Sequence, residues 1–173
     1  MSAVARYSHI PFPPYRFVLG ETPHPTEDPA GYSYGKAPVQ LKDFAPADCR
    51  TNEEYLYGVD LFNHGYWWEA HEAWEGLWGL VPGGDATSNF LQGLIKLSAA
   101  FLKWHMHERK GVQTLFNGAM KLLSQAAAEE PHFMGVDLQK FLELVQKLFA
   151  VVLTDPSAWP DLMDNYPYII LEP

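Results

Sequence analysis

Between residues 51 and 152 apolar side chains recur with the period of an α-helix. The clearest run is Leu138, Phe141, Leu142, Val145, Leu148 and Phe149, whose i, i+3, i+4, i+7 spacing predicts a helix over about 136–152. Upstream, Thr51 with Glu54 three residues on has the form of a capping box. It opens a predicted helix through Tyr55, Leu56, Val59 and Phe62, and Asn63-His64-Gly65 ends it, since Asn and Gly tolerate the left-handed conformation. A second helix is expected over about 66–78, before the loop Val81-Pro82-Gly83-Gly84-Asp85. A third begins within 86–89 and runs to 108 or 109, with Gly111 as its stop. A fourth covers 112–129 and ends at Pro131. Short loops between consecutive helices imply antiparallel neighbours. The expected fold is all-α, a compact antiparallel helical bundle of about five helices.

The flanks break this pattern. Residues 1–50 hold Pro11, Pro13, Pro14, Pro23, Pro25, Pro29, Pro38 and Pro46, eight of the 14 prolines, so no regular helix runs through them. Tyr7, Phe12, Tyr15, Phe17, Tyr32, Tyr34 and Phe44 are spread along the same stretch. Rings of that size gain most by lying on an apolar surface, so the segment reads as an arm wrapped over the helices. Residues 153–173 return to Pro156, Pro160, Pro167 and Pro173, interleaved with Trp159, Tyr166 and Tyr168, and read as a second irregular arm. The run Tyr168-Ile169-Ile170-Leu171 is too short to define a strand. The expected organisation is one structural domain: arm 1–50, helical domain 51–152, arm 153–173.

Composition narrows the partners. The 173 residues carry 12 Lys+Arg against 21 Asp+Glu, a formal charge of −9. Such a surface repels phosphate backbones and anionic lipid, which argues against nucleic-acid or membrane partners. Cys49 is the single cysteine and excludes an internal disulfide or a cysteine-based zinc site. Met1-Ser2-Ala3-Val4-Ala5-Arg6 leads into Pro11 without the apolar core of a signal peptide. No run approaches the roughly 18 apolar residues of a membrane span. The expected location is the cytoplasm, and no cofactor is implied.

Candidate chemistry is concentrated in Asn63-His64-Gly65-Tyr66-Trp67-Trp68-Glu69-Ala70-His71-Glu72-Ala73-Trp74-Glu75-Gly76-Leu77-Trp78. On a wheel of about 100° per residue, Trp67, His71, Trp74, Glu75 and Trp78 share one face. Trp68 and Glu72 lie at its edge, and Glu69 points almost opposite, toward solvent. His71 and Glu75 stand one turn apart and can pair. Three readings follow. His71 and Glu75 could be metal ligands with Glu72 as base, a variant of H-E-x-x-H with its last histidine replaced. His71 with Glu75 could be a base and its orienter in a metal-free pocket with tryptophan walls. Or the polar pair could be a buried network that fixes helix register or caps the backbone of the N-terminal arm. The neighbouring helix adds Gln92 in Phe90-Leu91-Gln92-Gly93-Leu94-Ile95, placed to reach Glu72 or Glu75. His105 and His107 are separated by about 200° on a helix and cannot chelate together.

Gly58-x-x-Leu61-Phe62-Asn63-x-Gly65-x-Trp67-x-Glu69-Ala70-His71-Glu72-x-x-Glu75-x-x-Trp78 resembles the signature of the domain of unknown function family 309. Leu91-Gln92-Gly93-Leu94-Ile95 followed by Ala99-Ala100 is similar to that family's second block. The resemblance implies a compact all-helical bundle whose biochemical role is unassigned. Lys96 stands where that pattern usually carries an amide, and Tyr32 where longer members tend to have histidine. Gly65-x-Trp67-x-Glu69-Ala70 also resembles the turn and helix start of a tetratricopeptide repeat. Only two such hairpins are visible, which favours a closed bundle over a solenoid.

The sequence therefore points to a ligand-binding or interaction domain with a polar cluster among tryptophans. Trp68, His71, Glu72, Glu75 and Gln92 are its candidate binding residues, and the partner is a small molecule or a second copy of the chain. The alternative is a hydrolase-like enzyme, metal-assisted or His/Glu-based, with His71, Glu72 and Glu75 as catalytic candidates and His71 and Glu75 as metal candidates.

Overall fold

In the computed structural model, five helices follow one another: α1 (Glu53–Asn63), α2 (Trp67–Trp78), α3 (Ala86–His105), α4 (Arg109–Glu129) and α5 (Leu138–Thr154). A two-stranded antiparallel hairpin, β1 (His132–Phe133) and β2 (Val136–Asp137), joins α4 to α5. The structure describes residues 4–37, 39–41, 43–155, 157–162 and 166–172. Met1, Ser2, Ala3, Pro38, Pro156 and Pro173, named above, lie outside them. Each helix packs on the next, α1 on α2, α2 on α3, α3 on α4 and α4 on α5. The expected all-α bundle is what forms. No helix is long and apolar enough to cross a membrane among the described residues.

The helix ends show where local chemistry was legible. Asn52, not Thr51, caps α1: its side chain accepts the Tyr55 N–H at 2.8 Å. Thr51 instead bonds back to the Asp48 carbonyl, because the preceding 3-10 turn, Pro46–Asp48, claims it. Gly65 takes φ +78° and terminates α1, as its sequence position predicted. Gly111 does not stop α3. The chain turns four residues earlier at His107, which adopts φ +59° and stacks on Trp159 at 4.9 Å. Gly111 lies inside α4, where a Cβ would stand 3.1 Å from the Lys103 stem. That glycine serves close helix approach rather than helix termination.

The core is aromatic. Trp74, Trp104, Tyr55, Phe62, Phe90, Phe101 and Phe149 are all fully buried. Phe62 is surrounded by Trp74, Phe101, Phe141 and Tyr166 at 5.4–6.3 Å between ring centroids. Gly58 lets α1 approach α2 over Trp74, since a Cβ there would lie 2.2 Å from the indole nitrogen.

Both arms lie on this core. Phe17 and Val18 are buried, and Phe12 stacks on Tyr66. The C-terminal segment is held by Asn63, whose amide donates to the Ile169 carbonyl and accepts the Ile169 N–H, both at 2.8 Å. Tyr166 donates to the Phe62 carbonyl and accepts from Trp67 Nε1. The two arms meet where the Leu171 N–H donates to the Tyr7 hydroxyl. Extended chain has no internal partners for its N–H groups, so polar side chains in the helices must supply them.

Candidate functional site

Helix α2 has three faces rather than two. Trp67, Ala70, Trp74 and Leu77 enter the core. His71, Glu72 and Glu75 face outward; His71 is half-buried and the two glutamates are exposed. The third face, with Trp68, Glu69, Ala73 and Gly76, is covered by the N-terminal arm. Trp68 meets Phe17 and His24 edge-on at 5.1 and 5.3 Å. Gly76 sits under Leu41, whose Cδ1 would stand 2.6 Å from an added Cβ.

This corrects the expected position of Glu69. It does not face solvent: it is 6% exposed. Its Oε1 accepts the Phe17 N–H at 2.8 Å and the Tyr32 hydroxyl at 3.2 Å. Oε2 is buried and has no hydrogen-bond partner among the described residues. Burial pushes the carboxyl above its ordinary value of 4.5, against the opposing pull of its hydrogen-bond donors and nearby Arg16. Burial and the neighbouring Glu69 charge likewise push the Tyr32 hydroxyl up. Capping of the arm by α2 does occur, but through Glu69 and not through His71 or Glu75.

The His71–Glu75 pair is also corrected. His71 Nδ1 lies 3.2 Å from Oε1 of Glu72, its immediate neighbour, on the protein surface. The trio is therefore no buried network. One ligand atom from each of His71, Glu72 and Glu75 nevertheless falls within 4.8 Å of the others, so these residues could hold a metal ion. A second such group, His132, Asp137 and Glu172, joins the hairpin to the C-terminal segment on the surface. Gln92 is half-buried on α3, and no hydrogen bond joins it to Glu72 or Glu75 among the described residues. The polar link between these helices is instead Trp78 Nε1 donating to Ser88 Oγ at 2.9 Å. His105 lies by Glu21 and His107 by Trp159, so the two do not converge.

Between the arm and α1–α2 lies a cavity of about 540 Å³. Tyr32, Glu54, Tyr57, Trp68, Glu69 and Glu72 contribute to its wall, and the Tyr57 hydroxyl donates to the Pro11 carbonyl. Burial, then Glu53, pushes Glu54 up, and Tyr57 is pushed up to about 12 by burial. A more open groove of about 350 Å³ between α4 and α5, lined by residues such as Ser124 and Gln139, is remote from this chemistry. Of the sequence-selected residues, Trp68 and Glu72 reach the cavity; His71, Glu75 and Gln92 do not line it. Sequence reasoning missed Glu54, Tyr57 and Tyr32. The one signal for them was the expectation that the aromatic arm lies on the helices.

No curated protein matches the chain in sequence. Residues 55–115, from α1 into α4 and including Trp68, Glu69, His71, Glu72, Glu75 and Gln92, match the model of the family described as Domain of unknown function (DUF309).

Proposed function

We propose that the protein is a binding domain for a small organic molecule seated between the N-terminal arm and α1–α2. The observation that carries this reading is the cavity of about 540 Å³ with Glu69 in its wall, one carboxylate oxygen left without a partner. Its size lies within the usual range for organic ligands, and its wall combines aromatic rings with a few polar groups. Buried polar atoms are nearly always paired, so an orphan oxygen beside a cavity favours an absent partner. A fragment library followed by amide and indole NMR tests the reading. Shifts are expected to converge on Trp68 and Gly76. Hits confined to the α4–α5 groove, or no hits at all, would remove it.

A second reading is favoured by the convergence of His71, Glu72 and Glu75. A hard or borderline divalent ion suits this nitrogen and oxygen donor set, and such an ion could assist hydrolytic chemistry. Zinc titrated into the protein should then move the His71 imidazole signals, and His71→Ala should abolish stoichiometric uptake. Unchanged signals at millimolar zinc would eliminate this alternative.

A further inference from the structure

The cavity wall has an unbalanced charge. Glu54, Glu69 and Glu72 lie in it, against Lys36 as the only cation among the described lining residues. Lys36 is exposed at the rim, and Arg16 makes no ion pair with Glu69 among the described residues. Glu69 is therefore a nine-tenths buried carboxylate with two donors on Oε1 and, among the described residues, none on Oε2, and nearby Arg16 attracts its charge without forming an ion pair with it. A charge in that position is costly unless a counter-charge comes close. The same wall presents the rings of Tyr57 and Trp68, whose faces attract cations.

Resting on the binding reading above, we infer that the occupant is a small organic amine, bound as its ammonium against Glu69 and Glu72 with its carbon body on Tyr57 and Trp68. The ammonium supplies a positive charge to a wall that holds Glu54, Glu69 and Glu72 against the single lysine at its rim. A carboxylate or phosphate ligand would instead meet three glutamates. A neutral alcohol of the same shape would gain the aromatic contact without the ion pair.

Three probes of one shape separate these cases: 2-phenylethylammonium, 2-phenylethanol and 3-phenylpropionate, each titrated into the wild-type protein with Trp68 indole shifts as readout. The ammonium should bind about tenfold more tightly than the alcohol, the gap expected for a charge-assisted hydrogen bond. The propionate should be weakest. In Glu69→Gln the ammonium and alcohol should converge. Glu72→Gln, a change at an exposed position that leaves the fold intact, should narrow the gap in part. Equal binding of ammonium and alcohol to the wild type would overturn the cation inference and leave the cavity reading standing. Preference for the propionate would also overturn it. Absence of any shift at Trp68 with all three probes would overturn both.

Discussion

Asp60→Ala is expected to destabilise the protein by about 3 kcal/mol and to free the start of the N-terminal arm. Asp60 is fully buried in α1. Its carboxylate accepts the Tyr7 N–H at 2.8 Å, the Ser8 N–H at 2.9 Å and Arg6 Nε at 3.2 Å. Alanine removes the acceptor and strands two backbone donors in an apolar setting. Each such donor costs on the order of 1–3 kcal/mol when it cannot reach water. Arg6 is one-third exposed and can turn to solvent, so it adds less. The damage should spread, because Tyr7 also receives the Leu171 N–H and so ties the two arms together. Urea unfolding measures the loss, and amide exchange at Tyr7 and Ser8 locates it. A loss under about 1 kcal/mol, or unchanged exchange at those amides, would contradict the role assigned to Asp60.

Replacing Glu69 should separate capping from charge. Glu69→Ala removes the acceptor of the buried Phe17 N–H and of the Tyr32 hydroxyl, and should cost about 2–3 kcal/mol. Glu69→Gln keeps a carbonyl oxygen for both donors and deletes the buried charge. It should be as stable as wild type or more so at neutral pH. The pH dependence has a definite sign. Burial raises the Glu69 carboxyl above its ordinary value of 4.5, so the folded protein holds this proton more tightly than the unfolded chain. The contribution of Glu69 to stability is thus greatest in acid. It declines as pH rises from the ordinary value through the raised folded one. The advantage of Glu69→Gln over wild type should therefore widen with pH across that window, as denaturant melts at several pH values would show. A constant gap, or one that closes with rising pH, would contradict a raised Glu69.

Legibility in the sequence followed the range of the interaction. The five helices and most of their ends rest on periodicity and capping within a few residues, and these were readable. The two misplaced ends have tertiary causes. Gly111 was read as a terminator but accommodates Lys103 from the neighbouring helix. Thr51 lost its capping role to Asn52 because the Pro46–Asp48 turn had claimed it. The candidate stretch on α2 was located correctly, yet its internal assignment was partly inverted. His71 and Glu75 were placed in the apolar stripe and face outward, whereas Glu69 was placed in solvent and is buried. A helical wheel assumes one buried face. The arm creates a second, roughly opposite the first, and a carboxylate there is needed to receive arm N–H groups. Asp60, within Val59-Asp60-Leu61-Phe62, does the same work on α1 and escaped notice for the same reason.

What the sequence determined by itself is the all-helical fold, the bundle order of its helices and the stretch of α2 where polar groups meet tryptophans. Hydrophobic period, glycine conformation and proline geometry act locally, and each leaves its mark on the residues that carry it. What only the tertiary structure decided is which carboxylates are inside. That depends on where the proline-broken arm finds acceptors for the N–H groups that its own turns leave unpaired. The buried acceptors among them are Asp60 and Glu69, some 50 residues away along the chain. The cavity between arm and bundle, with its unpartnered glutamate oxygen, exists only once that long-range pairing has been made.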